Sequence, residues 1–178
     1  MTESVRYEVI KKVGNLEIRE YPRIILATVQ GLSDDQAFGI LFKYITGNNK
    51  PGKNIDMTTP VISSEGEPVE IEMTAPVLSD KNSFSFIMPS KFTMKDIPEP
   101  LDNRINTQEI PGRRLAVLQF RGRTGDKSVS KRIEELSGLI EKAGIRTMGD
   151  VFLMRYNSPF APGFMRRNEV AIEIDQQS

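Results

Sequence analysis

Apolar and polar positions alternate along much of this chain. Tyr7-Glu8-Val9-Ile10-Lys11-Lys12 predicts a first strand, Gly14-Asn15 a turn, and Leu16-Glu17-Ile18-Arg19-Glu20-Tyr21 a second strand. Pro22 interrupts, and Ile24 to Val29 resumes as an apolar, β-branched run. The period then becomes helical. Ser33 is the expected N-cap, Gln36 completes a capping box three residues on, and Asp34 and Asp35 suit the first turn. Ala37, Ile40, Leu41, Tyr44 and Ile45 fall on one face, Phe38 and Phe42 widen it, and Gly47 fits the position just past the end. Alternation returns in Val69, Ile71 and Met73, and again in Phe84, Phe86 and Met88, closed by Pro89. Residues 96–103 are Pro-rich and polar, as an extended connection is. Val129, Ile133, Leu136, Ile140 and Ala143 then form the stripe of a second helix ending at Gly144, and strands follow at Val151 to Tyr156 and Glu169 to Ile174.

Two repeats organise this pattern. Met57-Thr58-Thr59-Pro60-Val61 recurs as Met73-Thr74-Ala75-Pro76-Val77, with the turn-forming Ser63–Pro68 between them. The pair reads as a hairpin whose prolines, lacking N–H, belong at an edge, a bulge or a strand end. Met73 continues an alternating face and is expected in the core; Met57 leaves a Gly/Asn/Lys-rich loop and is expected nearer a pocket rim. At an offset of 89, Glu20-Tyr21-Pro22 falls on Glu109-Ile110-Pro111, Leu26 on Leu115, Ala27 on Ala116 and Gln30 on Gln119. The order strands, helix, strands repeats as well. The expected fold is therefore α+β, in a single domain over residues 1–178. Its two β-β-α-β-type halves, about 5–95 and 104–175, are related by a pseudo-twofold axis. They make a curved antiparallel sheet or distorted β-barrel flanked by two helices.

Composition narrows the chemistry. Twenty-four basic residues balance 24 acidic ones, which marks neither a nucleic-acid binder nor a polybasic membrane anchor. No apolar run approaches a transmembrane span and no signal-peptide core opens the chain, so a cytoplasmic protein is expected. Cysteine is absent, which excludes disulfides, thiolate catalysis and Cys-bound metals. Histidine is absent too, which removes imidazole base chemistry and the usual zinc ligands. The carboxylates Glu65, Glu67, Glu70 and Glu72 surround the hairpin without a spacing that singles out an acid–base pair. Binding is favoured over catalysis.

The connection Asn157–Asn168 is long for a hairpin and carries Phe160, Phe164 and Met165 beside Arg166 and Arg167. Its apolar groups suit the covering of a flat ligand, with arginine at carboxylates on the rim, or else they plug the end of the sheet. Arg166 and Arg167 alternate in direction; Arg166, next to Phe164 and Met165, is expected to face the ligand and Arg167 to serve the Asn168-Glu169 scaffold. Arg113-Arg114 and Arg121-x-Arg123 read as solvated charges.

Several of these pieces carry a family resemblance. Met-Thr-x-Pro-Val twice, the Phe84-Ser85-Phe86 strand, Ile18-Arg19-Glu20-Tyr21-Pro22, and Tyr156, Pro159 and Arg166-Arg167-Asn168-Glu169-Val170 together resemble the SOUL/haem-binding-protein family. The resemblance runs from Tyr7 to Ile174 and implies an arrangement shared with GyrI-like small-molecule-binding domains. It also implies an apolar pocket for haem or another porphyrin, bordered by Ile40, Leu41, Tyr44 and Ile45, by Met57, and by Phe160, Phe164, Met165 and Arg166. The histidine that holds iron in some members has no counterpart here, and Tyr44, Tyr156, Met57 or a lysine are the groups left to replace it. The implied function is a non-enzymatic buffer or carrier whose partner is a hydrophobic tetrapyrrole, with neither nucleic acid nor membrane. The alternatives are a GyrI-like binder or hydrolase using a buried carboxylate and a tyrosine, and a protein-interaction module.

Overall fold

The computed structural model describes residues 3–50, 52–65, 82–156 and 162–177. Along them run β1 (Glu3–Ser4), β2 (Glu8–Val13), β3 (Leu16–Tyr21), β4 (Ile24–Gln30), α1 (Asp34–Ile45), β5 (Asn49–Lys50), β6 (Thr58–Glu65), β7 (Asn82–Ile87), β8 (Glu99–Pro100) and β9 (Asn106–Ile110). They continue as β10 (Arg113–Arg121), α2 (Asp126–Ala143), β11 (Thr147–Arg155), a 3-10 turn (Gly163–Met165) and β12 (Arg167–Ile174). The class is α+β. The chain divides into two compact units: Ile24–Ile110 with the residues through Ser4, and Val5–Arg23 with Pro111 onward. No described helix is long and apolar enough to cross a membrane.

In the first unit the strands pair antiparallel in the order β9–β4–β7–β6, and β1 joins β6 in parallel. Period-2 alternation sends Ile25, Ala27 and Val29 of β4 and Phe84 and Phe86 of β7 to one face, where Ala37, Ile40, Leu41, Tyr44 and Ile45 of α1 close the core. Each such large apolar side chain contributes about 1.5–3 kcal/mol by leaving water. The capping box forms: Ser33 Oγ accepts from the Gln36 N–H at 3.3 Å, and Gln36 Oε1 from the Ser33 N–H at 3.4 Å. On the other face of β4 the hydroxyls of Thr28 and Ser85 satisfy one another at 2.7 Å.

Pro60 falls where its missing N–H does least harm, inside the register slip between Thr58 and Ile62 of β6. β6 pairs antiparallel with β7. The second copy of the motif, with Met73 and the strand begun at Val69, lies outside the described residues. The Pro-rich connection is less bare than its composition suggests. Glu99-Pro100 pairs with Asn49-Lys50, and the Pro98 carbonyl accepts from Tyr44 Oη at 2.6 Å.

In the second unit the antiparallel order is β2–β3–β10–β12–β11. Leu16, Ile18, Ala116, Leu118, Phe120, Val170 and Ile172 share the face on which α2 lays Leu136 and Ile140. Gly144 ends α2 in the left-handed conformation, φ 68°, which glycine adopts without strain. Among the described residues neither unit's pairing order returns on itself, so no closed barrel forms there.

The offset of 89 persists in the pairing. Ile24 faces Ile110 and Ala27 faces Thr107 in the first unit; Arg113 faces Tyr21 and Ala116 faces Ile18 in the second. The strand before β4 in sequence thus pairs with β10, and the strand before β10 pairs with β4. The compact units consequently differ from the expected sequence halves, because residues 5–23 join the residues from Pro111 onward. Two-residue links, Pro22-Arg23 and Pro111-Gly112, make the exchange and pass close together. A Cβ on Gly112 would stand 3.2 Å from the Tyr21 carbonyl oxygen.

Candidate functional site

The late connection ends in the 3-10 turn Gly163–Met165, and this turn displays two large apolar side chains to solvent. Phe164 is 77% exposed and Met165 56%. The loop after β10 pins the turn. Gly122, at φ +121°, donates its N–H to the Arg166 carbonyl at 3.0 Å, and its own carbonyl accepts from Asn168 Nδ2 at 2.7 Å. Arg121 Nη1 reaches the Met165 carbonyl at 3.5 Å. Arg123 lies across Gly163, where a Cβ would come within 2.8 Å of its Cγ and Nε. Arg121 and Arg123 are exposed, as solvated charges are, yet both lie against the apolar turn, and half-buried Arg166 follows it. Sequence reasoning left the first two out of the site. Their spacing, i and i+2 at a strand end, was a weak signal that they share a side.

Just past the turn in sequence begins a buried polar cluster, carried on the face of β3 and β12 away from α2. Arg19 donates two parallel bonds to Glu169, Nη1 to Oε1 at 2.8 Å and Nη2 to Oε2 at 2.6 Å, and a third to Tyr21 Oη at 2.9 Å. Tyr156 Oη donates to Glu169 Oε1 at 2.5 Å. Arg167 Nη2 adds bonds of 3.1 Å to Glu169 Oε2 and to Tyr7 Oη. The guanidinium groups of Arg19 and Arg167 each stack at 4.1 Å, over the rings of Tyr7 and Tyr156. Tyr156 and Arg167 also form the foot of the loop, joined by an N–H to carbonyl bond of 3.3 Å. Arg167 thus serves the scaffold around Glu169, as its expected direction implied.

Electrostatics in this cluster favour permanence over proton transfer. Burial pushes the Glu169 carboxyl up, but the Arg19 bonds, with Tyr156 and Arg167, outweigh it and hold the group below its ordinary range. Burial raises the Tyr21 phenol to about 12 and Tyr156 further still. A carboxylate with four donors on its two oxygens has no lone pair aimed at a substrate, and phenols this high stay protonated at neutral pH.

The other sequence-predicted residues fall elsewhere. Ile40, Leu41, Tyr44 and Ile45 are buried in the core of the first unit, and burial lifts the Tyr44 phenol to about 12 while its hydroxyl bonds Pro98. Met57 is half-buried against that same core. Phe160 lies outside the described residues. Among the described residues no three His, Cys, Asp or Glu side chains gather as a metal site does.

The sequence and fold together place the chain. It belongs to the SOUL heme-binding protein family, whose model matches residues 2–173. It is 26% identical over 140 residues to "Heme-binding protein 1" of Bos taurus, a match covering 76% of this chain and 67% of that protein. In fold it resembles the C-terminal domain of EcmrR, with TM-score 0.62 at 13% identity, covering 95% of this chain and 98% of that one. It also resembles a hydrolase from Listeria innocua, with TM-score 0.58 at 12% identity, covering 90% and 92%.

Proposed function

We propose that this protein binds haem or a closely related tetrapyrrole reversibly, as a non-enzymatic buffer or carrier in the cytoplasm. The observation that carries the reading is the exposed Phe164–Met165 pair bordered by Arg121, Arg123 and Arg166. Two adjacent large apolar groups match a flat macrocycle. Guanidinium groups beside them match propionates, with which arginine makes planar two-pronged bonds.

The residues fit the porphyrin better than its iron. Neither histidine nor cysteine exists in the chain. The hydroxyls of Tyr44 and Tyr156 are bonded to Pro98 and Glu169. A porphyrin supplies apolar area and two carboxylates, and the protein's part is to bury the one and neutralise the other. Phe160 joins the set by its place in the sequence. Met57, half-buried against the core of the first unit, and Ile40, Leu41, Tyr44 and Ile45, enclosed in that core, stay outside this set. Partners other than the tetrapyrrole, nucleic acid included, are not part of this reading, in line with the balanced charge.

The hydrolase alternative needs a carboxylate able to take a proton. The buried candidate, Glu169 with Tyr156, is committed to Arg19 and Arg167. Haem titration followed by the Soret band tests the binding reading. Phe164→Ser/Met165→Ser should weaken binding at least about tenfold, in keeping with the apolar area removed, whereas Val9→Ser on β2 should leave it unchanged. Equal affinity in the double variant would move the ligand elsewhere.

A further inference from the structure

We propose that the Phe164–Met165 turn also docks the protein peripherally on an anionic lipid bilayer. The turn exposes two adjacent large apolar side chains, Phe164 at 77% and Met165 at 56%, which suits insertion between headgroups. Its backbone is largely satisfied from within the protein. Pro162 and Gly163 carbonyls accept from the Met165 and Arg166 N–H groups at 3.0 and 3.3 Å, and the Met165 and Arg166 carbonyls accept from Arg121 and Gly122. A tip with its polar groups already paired can enter the interface without stranding donors or acceptors, the main cost of bringing irregular backbone toward hydrocarbon. Exposed Arg121 and Arg123 lie against the same turn, at the Met165 carbonyl and at Gly163, and basic groups beside an apolar pair draw an interfacial segment to acidic lipid.

The sequence hid this surface because its parts are far apart, Arg121 and Met165 being 44 positions distant. Balanced total charge excludes a polybasic stretch, not a cluster assembled by folding. A second exposed apolar pair, Val9 and Ile10 beside Lys11 and Lys12 on β2, is the competing candidate. There the side chains alternate between two faces of a strand and form no common tip. Docking shares Phe164 and Met165 with the haem reading but does not rest on it.

The test uses the haem-free full chain and phosphatidylcholine vesicles with or without phosphatidylserine. The chain has no tryptophan, so Phe164→Trp gives a single reporter at the tip. The expected result is a blue shift and co-sedimentation with the acidic vesicles only, weakened by salt. Arg121→Gln/Arg123→Gln should reduce binding roughly 25-fold, about fivefold for each arginine near the surface. Phe164→Ser/Met165→Ser should abolish it, and Val9→Ser/Ile10→Ser should not change it; circular dichroism establishes that each variant is folded. Absent binding, equal binding to neutral vesicles, or binding that survives loss of Phe164 and Met165 would overturn the proposal. Haem affinity is read separately in lipid-free solution, so either reading can fail alone.

Discussion

Arg19 and Glu169, 150 positions apart, meet in a fully buried two-pronged ion pair at 2.8 and 2.6 Å. Removing one charge leaves the other buried with only its lesser partner, Glu17 at 3.3 Å from Arg19 or Arg167 at 3.1 Å from Glu169. Glu169→Gln should therefore destabilise the fold by about 3–5 kcal/mol. The double change Arg19→Met/Glu169→Leu should cost clearly less than the two single changes together, because it leaves neither of these two charges alone. Urea denaturation of Glu169→Gln, and of the double variant beside Arg19→Met and Glu169→Leu, measures both quantities. Additive losses would mean that the two residues act independently.

The tyrosines set the alkaline limit. Folding holds Tyr21 and Tyr44 protonated to about 12 and Tyr156 beyond that. A raised phenol contributes stability that is complete below its unfolded value, about 10, and is lost as pH rises through the folded value. The sign reverses for Glu169, whose pKa is lowered: its contribution is present above its unfolded value and disappears as pH falls through the folded one. Tyrosinate absorbance from these three should appear together with loss of circular dichroism, above the pH of a free phenol. Their titration near 10 in a folded protein would contradict the buried network.

Asn49 fastens the loop after α1. Its Nδ2 donates to the Tyr44 and Lys53 carbonyls at 2.7 and 2.8 Å, and its Oδ1 accepts from the Gly52 and Lys53 N–H groups at 3.1 and 3.0 Å. Asn49→Ala should cost about 2–4 kcal/mol, since buried backbone groups lose their partners. Asn49→Asp should also destabilise, because a carboxylate cannot donate to the two carbonyls. Thermal melts compare the two; a neutral Asp variant would mean the donor side is unimportant.

Local signals in this chain read well and distant ones did not. The bounds of β3 follow from alternation alone, and the capping box at Ser33 from four residues. The expected start of β11 at Val151 was late, because Thr147–Asp150 are exposed on both sides and show no alternation. No local pattern told that β3 pairs with β10, a choice made by the Pro-led links and by which faces become buried. The same holds for the site. Phe164, Met165 and Arg166 stood out as apolar and basic residues in an overlong loop. Arg121 and Arg123 joined them only in the fold, at the Met165 carbonyl and at Gly163. Glu169 read as scaffold beside Asn168, while its principal partner, Arg19, lies near the other end of the sequence.

The central claim is that the protein grips the macrocycle and its carboxylates rather than the iron. Side-by-side equilibrium titration with haem and metal-free protoporphyrin, on wild type and Arg166→Ala, tests it most directly. Both ligands should bind wild type within about tenfold of one another, and the substitution should weaken both by roughly 5- to 150-fold, the loss of one charge-assisted contact. Haem binding alone, unaffected by Arg166→Ala, would mean that iron ligation dominates and would contradict the claim.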